Sequence, residues 1–336
     1  MIKPKISIII VNLNGRDYLE KCLPSIRKEV YANKEIVLVD NASTDGSIEY
    51  SKKIFPNLKV VRNKCNLGFA LANNLGLKVS GGKYIFLLNN DTIIPKNVFG
   101  PLVDYLENHS DVYAIQPRVR LIDKPDYLDS VGSFFTNSGF LYHLGFGKRD
   151  SKNLRKETEL FSAKGCALMI RKSILKKSGL FDNDFFAYFE ETDFCWRLWL
   201  MGGKVVYFPF IYIFHKGSGT ASKMNFEFIN YHSYKNRICS LIKNLGPARL
   251  FYSLPLHLVF CLTAFGAYLF TGKIKGAFSI IRAIGWNIIN LKKTLSKRDY
   301  VQKNIRIIKD YKFLPNLTRF ASPRYFYYLF NGLEKY

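Results

Sequence analysis

Amide and carboxylate side chains directly follow the apolar segment 84–88, at Asn89, Asn90 and Asp91. Because segment 84–88 is an unbroken apolar and aromatic run after two glycines, it predicts a buried central strand. In an open α/β sheet, ligands bind beyond the carboxyl ends of the strands. A carboxylate there can hold a divalent cation, which in turn can neutralise a diphosphate. Asn and Asp are equally common in turns, so an ordinary strand-to-turn junction is the alternative for this cluster taken alone.

Three acidic residues, Glu190, Glu191 and Asp193, follow a stretch rich in phenylalanine. Carboxyl groups beside apolar surface and beside one another have raised pKa values, and such a carboxylate can take a proton from a hydroxyl. Acidic residues in the first turn of a helix are also stabilised by the helix dipole, which is the structural alternative. Glu190 and Asp193 share a helical face and Glu191 points elsewhere, so at least one of the three is expected to be structural.

Further polar side chains follow other predicted strands. Asp40 ends an apolar run and can accept a hydrogen bond from a nucleoside base or a ribose hydroxyl, or else cap the turn that follows. His215 precedes a Gly/Ser loop, and its neutral imidazole can complete the coordination of a cation held by Asp91, although a lone histidine is more often structural. The other candidates for ligand binding at these strand ends are Asn12, Asn14, Asn66 and Gly68.

Apolar strand-like runs and helical periodicity alternate four times between residues 6 and 88. This alternation predicts an α/β fold with a doubly wound, mostly parallel sheet, in which the polar clusters converge along one edge. No GxGxxG motif follows the first strand, which disfavours a dinucleotide-binding domain. After a predicted helix (97–108) and strand (112–119), residues 123–155 lack clear periodicity. They predict a long, partly ordered excursion of the kind that often carries substrate loops.

The last third of the chain is apolar and basic. Residues 241–336 carry sixteen Lys or Arg against three acidic residues, within a chain whose net charge is +24. This charge points to an anionic surface, either phospholipid or nucleic acid. Segment 250–270 has no charged residue and is long enough to span a bilayer, and a second apolar segment follows at 276–291. With a single span, the basic tail would lie on the side of the membrane opposite the cytoplasmic domain, which contradicts the positive-inside rule. A hairpin, re-entrant or interfacial arrangement is therefore expected.

We therefore expect an α/β domain at 1–240 and a helical, membrane-associated region at 241–336. A packed helical subdomain or a homo-oligomer interface is the alternative for the apolar segments. The six cysteines show no paired spacing, which is typical of reduced thiols in a cytoplasmic setting and argues against a zinc site or a disulfide framework. Nucleic-acid binding is indicated by charge alone, because no recognised binding motif is present.

With these residues in place, the chain resembles the family 2 inverting glycosyltransferases of GT-A fold. Within that family it is most similar to the rhamnosyltransferase-like and galactofuranosyltransferase-like group. The order and spacing of the matching segments agree across residues 5–240. These segments are SIIIVNLNG, NASTDGS after Asp40, NLGFALANNLG, LLNNDT, GCALMIR, FFAYFEETDFCWR and the late His215.

The resemblance implies a nucleotide-diphosphate sugar donor and a divalent cation, Mg²⁺ or Mn²⁺. In that pattern Asp40 contacts the nucleoside base, and His215 is the late metal-binding histidine. The turn 89–91 occupies the DxD position, with Asn in place of the first Asp, so that Asp91 carries the metal role almost alone. The catalytic pair falls on Glu190 and Glu191, with Glu191 in place of an aspartate at the base position.

The implied function is transfer of a sugar to a lipid-linked or polysaccharide acceptor in cell-surface glycan synthesis, with rhamnosyl transfer as the first expectation. The enzyme is expected at the cytoplasmic face of the cell membrane, held to an anionic surface by its C-terminal region. A non-catalytic sugar-nucleotide or glycan-binding member of the same fold is the alternative, and a nucleic-acid-binding protein is a remote one.

Overall fold

The structure is a computed structural model that describes residues 3–217 and 225–331. Its centre is one mixed β-sheet, to which a separate hairpin (β8 and β9) and a set of helices are added. The strands are β1 (Ile6–Asn12), β2 (Lys34–Asp40), β3 (Lys59–Arg62), β4 (Tyr84–Leu88), β5 (Thr92–Ile93), β6 (Val112–Leu121), β7 (Leu128–Ser130), β8 (Gly132–Phe135), β9 (Leu141–Leu144), β10 (Thr158–Glu159), β11 (Ala167–Arg171) and β12 (Lys204–His215). The helices are α1 (Arg16–Arg27), α2 (Ser47–Ile54), α3 (Gly68–Val79), α4 (Phe99–Asn108), α5 (Leu175–Ser178), α6 (Glu190–Leu200), α7 (Phe226–Asn244), α8 (Pro247–Phe270), α9 (Ile274–Ile289), α10 (Leu291–Tyr300), α11 (Asp310–Leu317) and α12 (Pro323–Asn331).

The N-terminal part of the sheet is parallel. Strand β1 pairs with β2 on one side and with β4 on the other, and β2 pairs with β3. Strand β11 then lies antiparallel between β4 and β6, and β12 runs parallel to β6. The predicted doubly wound α/β sheet is confirmed, and β11 makes it a mixed sheet. Because β1, β2 and β4 are parallel neighbours, the polar residues that follow them lie along one edge.

Both faces of the central strands are buried. Ile8 and Ile10 of β1 pack into one apolar cluster, whereas Ile9 between them packs into another. In β4, Phe86 and Leu87 are divided between the same two clusters. Successive side chains of a strand point to opposite faces, so the sheet is covered on both sides. This explains why the strands are continuous apolar runs rather than alternating ones.

Residues 123–155 are more ordered than their sequence predicts. They contain β7 and the hairpin β8–β9, and Phe134 and Phe135 within them are at most 1% exposed. These strands are only three or four residues long, and β7 and β8 are buried on both faces, so no period of two is visible in the sequence. The segment carries Asp129 and His143 to the carboxyl edge of the sheet.

Helices α7 to α12 form the C-terminal part of the described chain. The boundary expected at residue 240 falls inside α7, which packs against α6 as well as against α8, α9 and α10. Within the described ranges, α8 is the one helix long and apolar enough to cross a bilayer. One of its faces packs on α7 and α9 through Cys261 and Tyr268. Its other face leaves Phe251 and Phe270 exposed by 85% and 94%.

Candidate active site

The polar ends of β1, β2 and β4 meet through hydrogen bonds between side chains. Asn12 accepts a hydrogen bond from Asn90 (2.7 Å) and donates one to Ser43 (3.1 Å). Asp40 is fully buried and accepts a hydrogen bond from the Ser43 backbone N–H (2.9 Å). Neither Asn12 nor Asp40 lines the cavity at this edge. Asp40 therefore stabilises the turn that follows it. Its expected contact with a nucleoside base stays a prediction.

The other expected ligand-binding residues divide into two groups. Asn14 lies outside the cavity, where it is exposed and accepts a hydrogen bond from the Thr44 backbone N–H (2.8 Å). Asn66 and Gly68 line the cavity, as does Asn41, which sequence reasoning did not single out. Asn41 donates hydrogen bonds to Asn66 (3.1 Å) and to the Gly68 carbonyl (3.3 Å). The sequence feature that could have identified Asn41 as a cavity residue is its position directly after Asp40.

Asp91 and His215, which were expected to hold a cation, are in contact. Nε2 of His215 lies 3.1 Å from Oδ1 of Asp91 and 3.4 Å from Nδ2 of Asn89. In the described structure, Oδ1 of Asp91 and Oδ1 of Asn89 are both buried without a hydrogen bond of good geometry. Two such oxygens beside an imidazole nitrogen fit the ligand preferences of Mg²⁺ or Mn²⁺. The Gly/Ser loop after His215 lies outside the described residues from position 218 onward.

Asp129 is a residue of this site that sequence reasoning missed. Nδ1 of His215 lies 3.1 Å from Oδ2 of Asp129, and Nζ of Lys164 lies 3.7 Å from the same oxygen. A carboxylate on the second imidazole nitrogen fixes the orientation of a metal-binding histidine. Burial alone would lower the pKa of His215, but its contacts with Asp129 and Asp91 raise it to about 9. Cys166 also lies close enough to Asp129 and His215 for the three side chains to hold a metal ion.

Glu190 and Glu191, at the start of α6, line the same cavity. Burial raises the pKa of both carboxyl groups, and the charge of Glu191 raises the pKa of Glu190 further. The preceding residues, Tyr188 and Phe189, have φ angles of 69° and 70°. This left-handed conformation is strained for residues other than glycine, and such strain concentrates at functional sites. The pair has the environment expected of a carboxylate that accepts a proton.

Neighbouring elements hold the strained segment in place. Asn236 of α7 is fully buried and donates hydrogen bonds to the carbonyls of Ala187 (3.0 Å) and Tyr188 (2.6 Å). On the other side, the carbonyl of Phe186 accepts a hydrogen bond (2.7 Å) from a backbone N–H in the first turn of α3. Gly68 has a φ angle of +79°, and a side chain there would collide with Phe186. Glycine is therefore required for this contact.

Asp193 does not reach the cavity. It is fully buried and accepts hydrogen bonds from Ser240 (2.9 Å), Lys243 (3.1 Å) and Asn244 (2.8 Å) of α7. Its carboxylate also pairs with Arg197 at 3.2 Å. The catalytic role expected for Asp193 is therefore corrected to a structural one, in which it joins α6 to α7.

The side chains that do converge surround one cavity of about 450 Å³. The strand ends supply Asp91 and His215, and α6 supplies Glu190 and Glu191. A carboxylate suited to a cation and a carboxylate pair suited to proton transfer thus share a space large enough for a small-molecule ligand.

The profile of "Glycosyl transferase family 2" matches residues 7–179, which end before the acid pair. The chain is 26% identical over 233 residues to glycosyltransferase GlyG of Streptococcus pneumoniae serotype 4, a match that covers 66% of this chain and 74% of GlyG. It is 29% identical over 115 residues to the putative teichuronic acid biosynthesis glycosyltransferase TuaG of Bacillus subtilis, covering 33% of this chain and 46% of TuaG. Across the curated relatives compared, the matched stretch covers from 20% to 74% of their own length.

The fold is similar to that of S. aureus TarS 1-349, solved in complex with UDP-GlcNAc. The TM-score is 0.58 at 17% sequence identity, and the match covers 93% of this chain and 89% of that one. At this identity the likeness concerns the fold alone. Because the family profile matches just over half of the chain and the fold agrees with it, the chain belongs to glycosyl transferase family 2 and has a GT-A-like fold.

Proposed function

We propose that the protein is an inverting glycosyltransferase that moves one sugar from a nucleotide-diphosphate donor to an acceptor hydroxyl. The observation that carries the proposal is the shared cavity, where Asp91 and His215 lie with Glu190 and Glu191. The donor diphosphate belongs at the Asp91 end, and the acceptor hydroxyl belongs at the acid pair. Membership of family 2 supports a nucleotide-sugar donor, as does the UDP-GlcNAc complex of the TarS neighbour.

Glu191 is proposed as the base. An acceptor hydroxyl has a pKa far above neutrality, so a carboxylate must take its proton as the new bond forms. The hydroxyl oxygen attacks the anomeric carbon, the bond from that carbon to the donor phosphate oxygen breaks, and the proton passes to Glu191. Direct displacement of this kind inverts the anomeric centre. Glu190, whose buried Oε2 has no hydrogen bond in the described structure, is the second candidate for the base.

Asp91, His215 and Asn89 are proposed to hold a Mg²⁺ or Mn²⁺ ion. When bound, the cation neutralises the charge that develops on the departing diphosphate. Asp129 orients the imidazole of His215 for this role through its contact with Nδ1. Lys164, 3.7 Å from Asp129, adds a positive charge beside this site.

Asp91→Ala is expected to weaken metal-dependent donor binding by at least about 100-fold, because it removes the carboxylate that holds the cation. A panel of nucleotide sugars is first screened for thermal stabilisation of the wild-type protein with and without Mn²⁺. The donor that stabilises it is then titrated by calorimetry. Asp104→Ala, which removes an exposed acid of α4, is the matched control and is expected to bind like the wild type. Equal donor binding by Asp91→Ala and the wild type would contradict the metal role.

The donor sugar and the acceptor are proposed on the resemblance to the rhamnosyltransferase-like group. Rhamnosyl transfer to a lipid-linked or polysaccharide acceptor, in cell-surface glycan synthesis, is the first candidate. TuaG, named for teichuronic acid biosynthesis, supports a product of this class. A nucleotide-rhamnose donor belongs in the same panel, and stabilisation by a different sugar alone would replace rhamnose in the proposal.

We also propose that residues 241–336 hold the enzyme at the cytoplasmic face of an anionic membrane. The support is the outer face of α8 and α9, where Val259, Phe270 and Ile289 are exposed by 58% to 94%. Basic residues border this face, among them Lys275 at the start of α9. Because the other face of α8 packs on α7 and α9, lipid cannot surround the helix, which favours an interfacial over a spanning arrangement.

Phe251→Glu is expected to lower binding of the full chain to phosphatidylglycerol-containing vesicles by about ten-fold or more, because burying a Phe side chain contributes roughly 1.5–3 kcal/mol. Co-sedimentation measures the bound fraction. Phe210→Glu is the matched control, since Phe210 is 69% exposed on β12, away from these helices. Vesicle binding that Phe251→Glu leaves unchanged would rule out α8 as the contact.

A further inference from the structure

Helix α7 places a buried arginine in the wall of the candidate active site without an acidic partner. Arg237 is only 9% exposed and lines the cavity. Across residues 3–217 and 225–331, no Asp or Glu forms an ion pair with its guanidinium, and its Nε has no hydrogen bond. Nη2 donates to Oγ of Ser233 at 3.3 Å. A buried charge without a counter-charge is costly, so an anion bound in the cavity would stabilise Arg237.

The surroundings of Arg237 position the guanidinium without neutralising it. Its Cζ lies 4.5 Å from the ring centre of Phe140, 5.2 Å from that of Phe189 and 5.7 Å from that of Tyr234. Such cation–π contacts stabilise the charge weakly compared with a carboxylate. They leave the N–H donors of the guanidinium available to a ligand in the cavity.

Arg237 stands between the acid pair and the apolar helices. Phe189, which it contacts, directly precedes Glu190. On its other side, Phe140 and Tyr234 belong to the apolar cluster formed with α8 and α9. A ligand group at Arg237 is therefore close both to the carboxylates and to the helices with the exposed apolar face.

The other titratable bases at this cavity are accounted for. Lys164 is paired with Asp129 at 3.7 Å. His143 is neutral, because burial and the charges of Lys164 and Arg237 lower its pKa to about 3. Among the described lining residues, Arg237 is thus the positive charge that lacks an anion.

We propose that Arg237 binds the phosphate of a lipid-linked acceptor. The fork of N–H donors on a guanidinium matches phosphate oxygens in pairs. With its phosphate at Arg237, the acceptor presents its sugar hydroxyl to Glu191 while its hydrocarbon chain follows α8. The acceptor role rests on the proposed transfer reaction, whereas the phosphate site itself does not.

Hexyl phosphate is the probe, with hexanol and inorganic phosphate as matched ligands that lack either the charge or the chain. Calorimetry of the full chain is performed in EDTA, so that no cation at Asp91 attracts phosphate. Arg237→Gln is expected to weaken hexyl phosphate binding by about 10- to 100-fold, through the loss of charge-assisted hydrogen bonds. Ser233→Asp is expected to have the same effect, because a carboxylate four residues before the arginine pairs with it. Ser233→Asn is its neutral control and is expected to retain binding.

Two further variants test whether hexyl phosphate binds at a cation other than Arg237. Lys164→Gln removes the lysine of this cavity, and Arg249→Gln removes a cation beside a separate cavity of about 700 Å³. Loss of binding in either, with Arg237→Gln unaffected, would overturn the assignment. Equal affinity for inorganic phosphate would overturn the lipid-linked part, and equal affinity for hexanol would overturn the phosphate part. If Arg237→Gln does not fold, the hexyl phosphate affinities of Ser233→Asp and Ser233→Asn are compared, and equal affinities would overturn the assignment.

This experiment is independent of the proposed transfer reaction, because no nucleotide sugar is present. Absence of hexyl phosphate binding would not contradict sugar transfer, and a donor panel without a hit would not contradict the phosphate site.

Discussion

Glu191→Gln is expected to lower the rate of sugar transfer by about 10²–10⁴-fold, the range that a positioned general base contributes. The amide keeps the shape of the side chain but cannot take a proton from the acceptor hydroxyl. Glu191 comes from α6, whereas the strand ends supply the proposed donor contacts, so donor affinity in calorimetry is expected to survive. Glu190→Gln is the matched comparison. Near wild-type transfer by Glu191→Gln, with transfer lost in Glu190→Gln, would move the base to Glu190.

The pH dependence of transfer follows from the same residue. Burial raises the pKa of Glu191 above its ordinary value of 4.5, and Glu191 acts as a base only when it is deprotonated. Transfer in the wild type is therefore expected to fall as the pH drops through this raised pKa, at a higher pH than for an exposed glutamate. The residual transfer of Glu191→Gln is expected to lack this dependence. A rate profile that is identical in both proteins would contradict the assignment.

Asp193→Ala is expected to lower the free energy of unfolding by about 3–5 kcal/mol, because it removes the carboxylate that pairs with buried Arg197 and one of the two that pair with buried Lys243. Lys243 and Arg197 both pair with Asp193, and their side chains are at most 7% exposed. Urea unfolding measures the change. Asp299→Ala, which breaks an exposed pair with Lys303, is the control and is expected to cost at most about 1 kcal/mol. Equal stability of the two variants would show that the α6–α7 contact does not depend on this carboxylate.

Acid sensitivity of the fold follows from the same carboxylate. Burial alone would raise the pKa of Asp193, but Lys243 and Arg197 lower it below 3.8. A depressed folded-state pKa contributes stability above the unfolded value, and this stability is lost as the pH falls through the folded value. The destabilisation by Asp193→Ala is therefore expected to be largest near neutral pH and to shrink in strong acid.

The elements that carry the site are largely predictable because they are local patterns. Continuous apolar runs mark strands buried on both faces, such as β4, and amides or carboxylates just beyond them mark the binding edge. Parallel topology then places Asp91 near other strand ends. His215, more than a hundred residues later, is expected at the same site from its position after a predicted strand and from the resemblance, and the two side chains are 3.1 Å apart.

The residues that were missed depend on contacts distant in sequence. Asp129 reaches His215 because β7 pairs with β6, and no period in segment 123–155 indicates that pairing. Arg237 lies on α7, which is buried by α6, α8, α9 and α10 rather than by a pattern of its own. The sequence therefore does not show that Arg237 is buried without an acidic partner. For Asp193, helical spacing predicts a shared face with Arg197 but not the α7 side chains opposite. For Asp40, the same residues indicate a turn and a ligand contact, and the hydrogen bond from the Ser43 backbone N–H shows the turn.

The hydrogen bonds from α7 to the segment before the acid pair limit where the chain can be truncated. A truncation after residue 240 would keep Asn236 but remove Lys243 and Asn244, two of the side chains that donate hydrogen bonds to Asp193. The remaining N-terminal part would then lose contacts between α6 and α7 that hold Glu190 and Glu191 in position. Deleting the apolar C-terminal helices to make the protein soluble is therefore expected to abolish its activity. Replacing the exposed apolar residues of these helices with polar ones is expected to improve solubility and to retain activity.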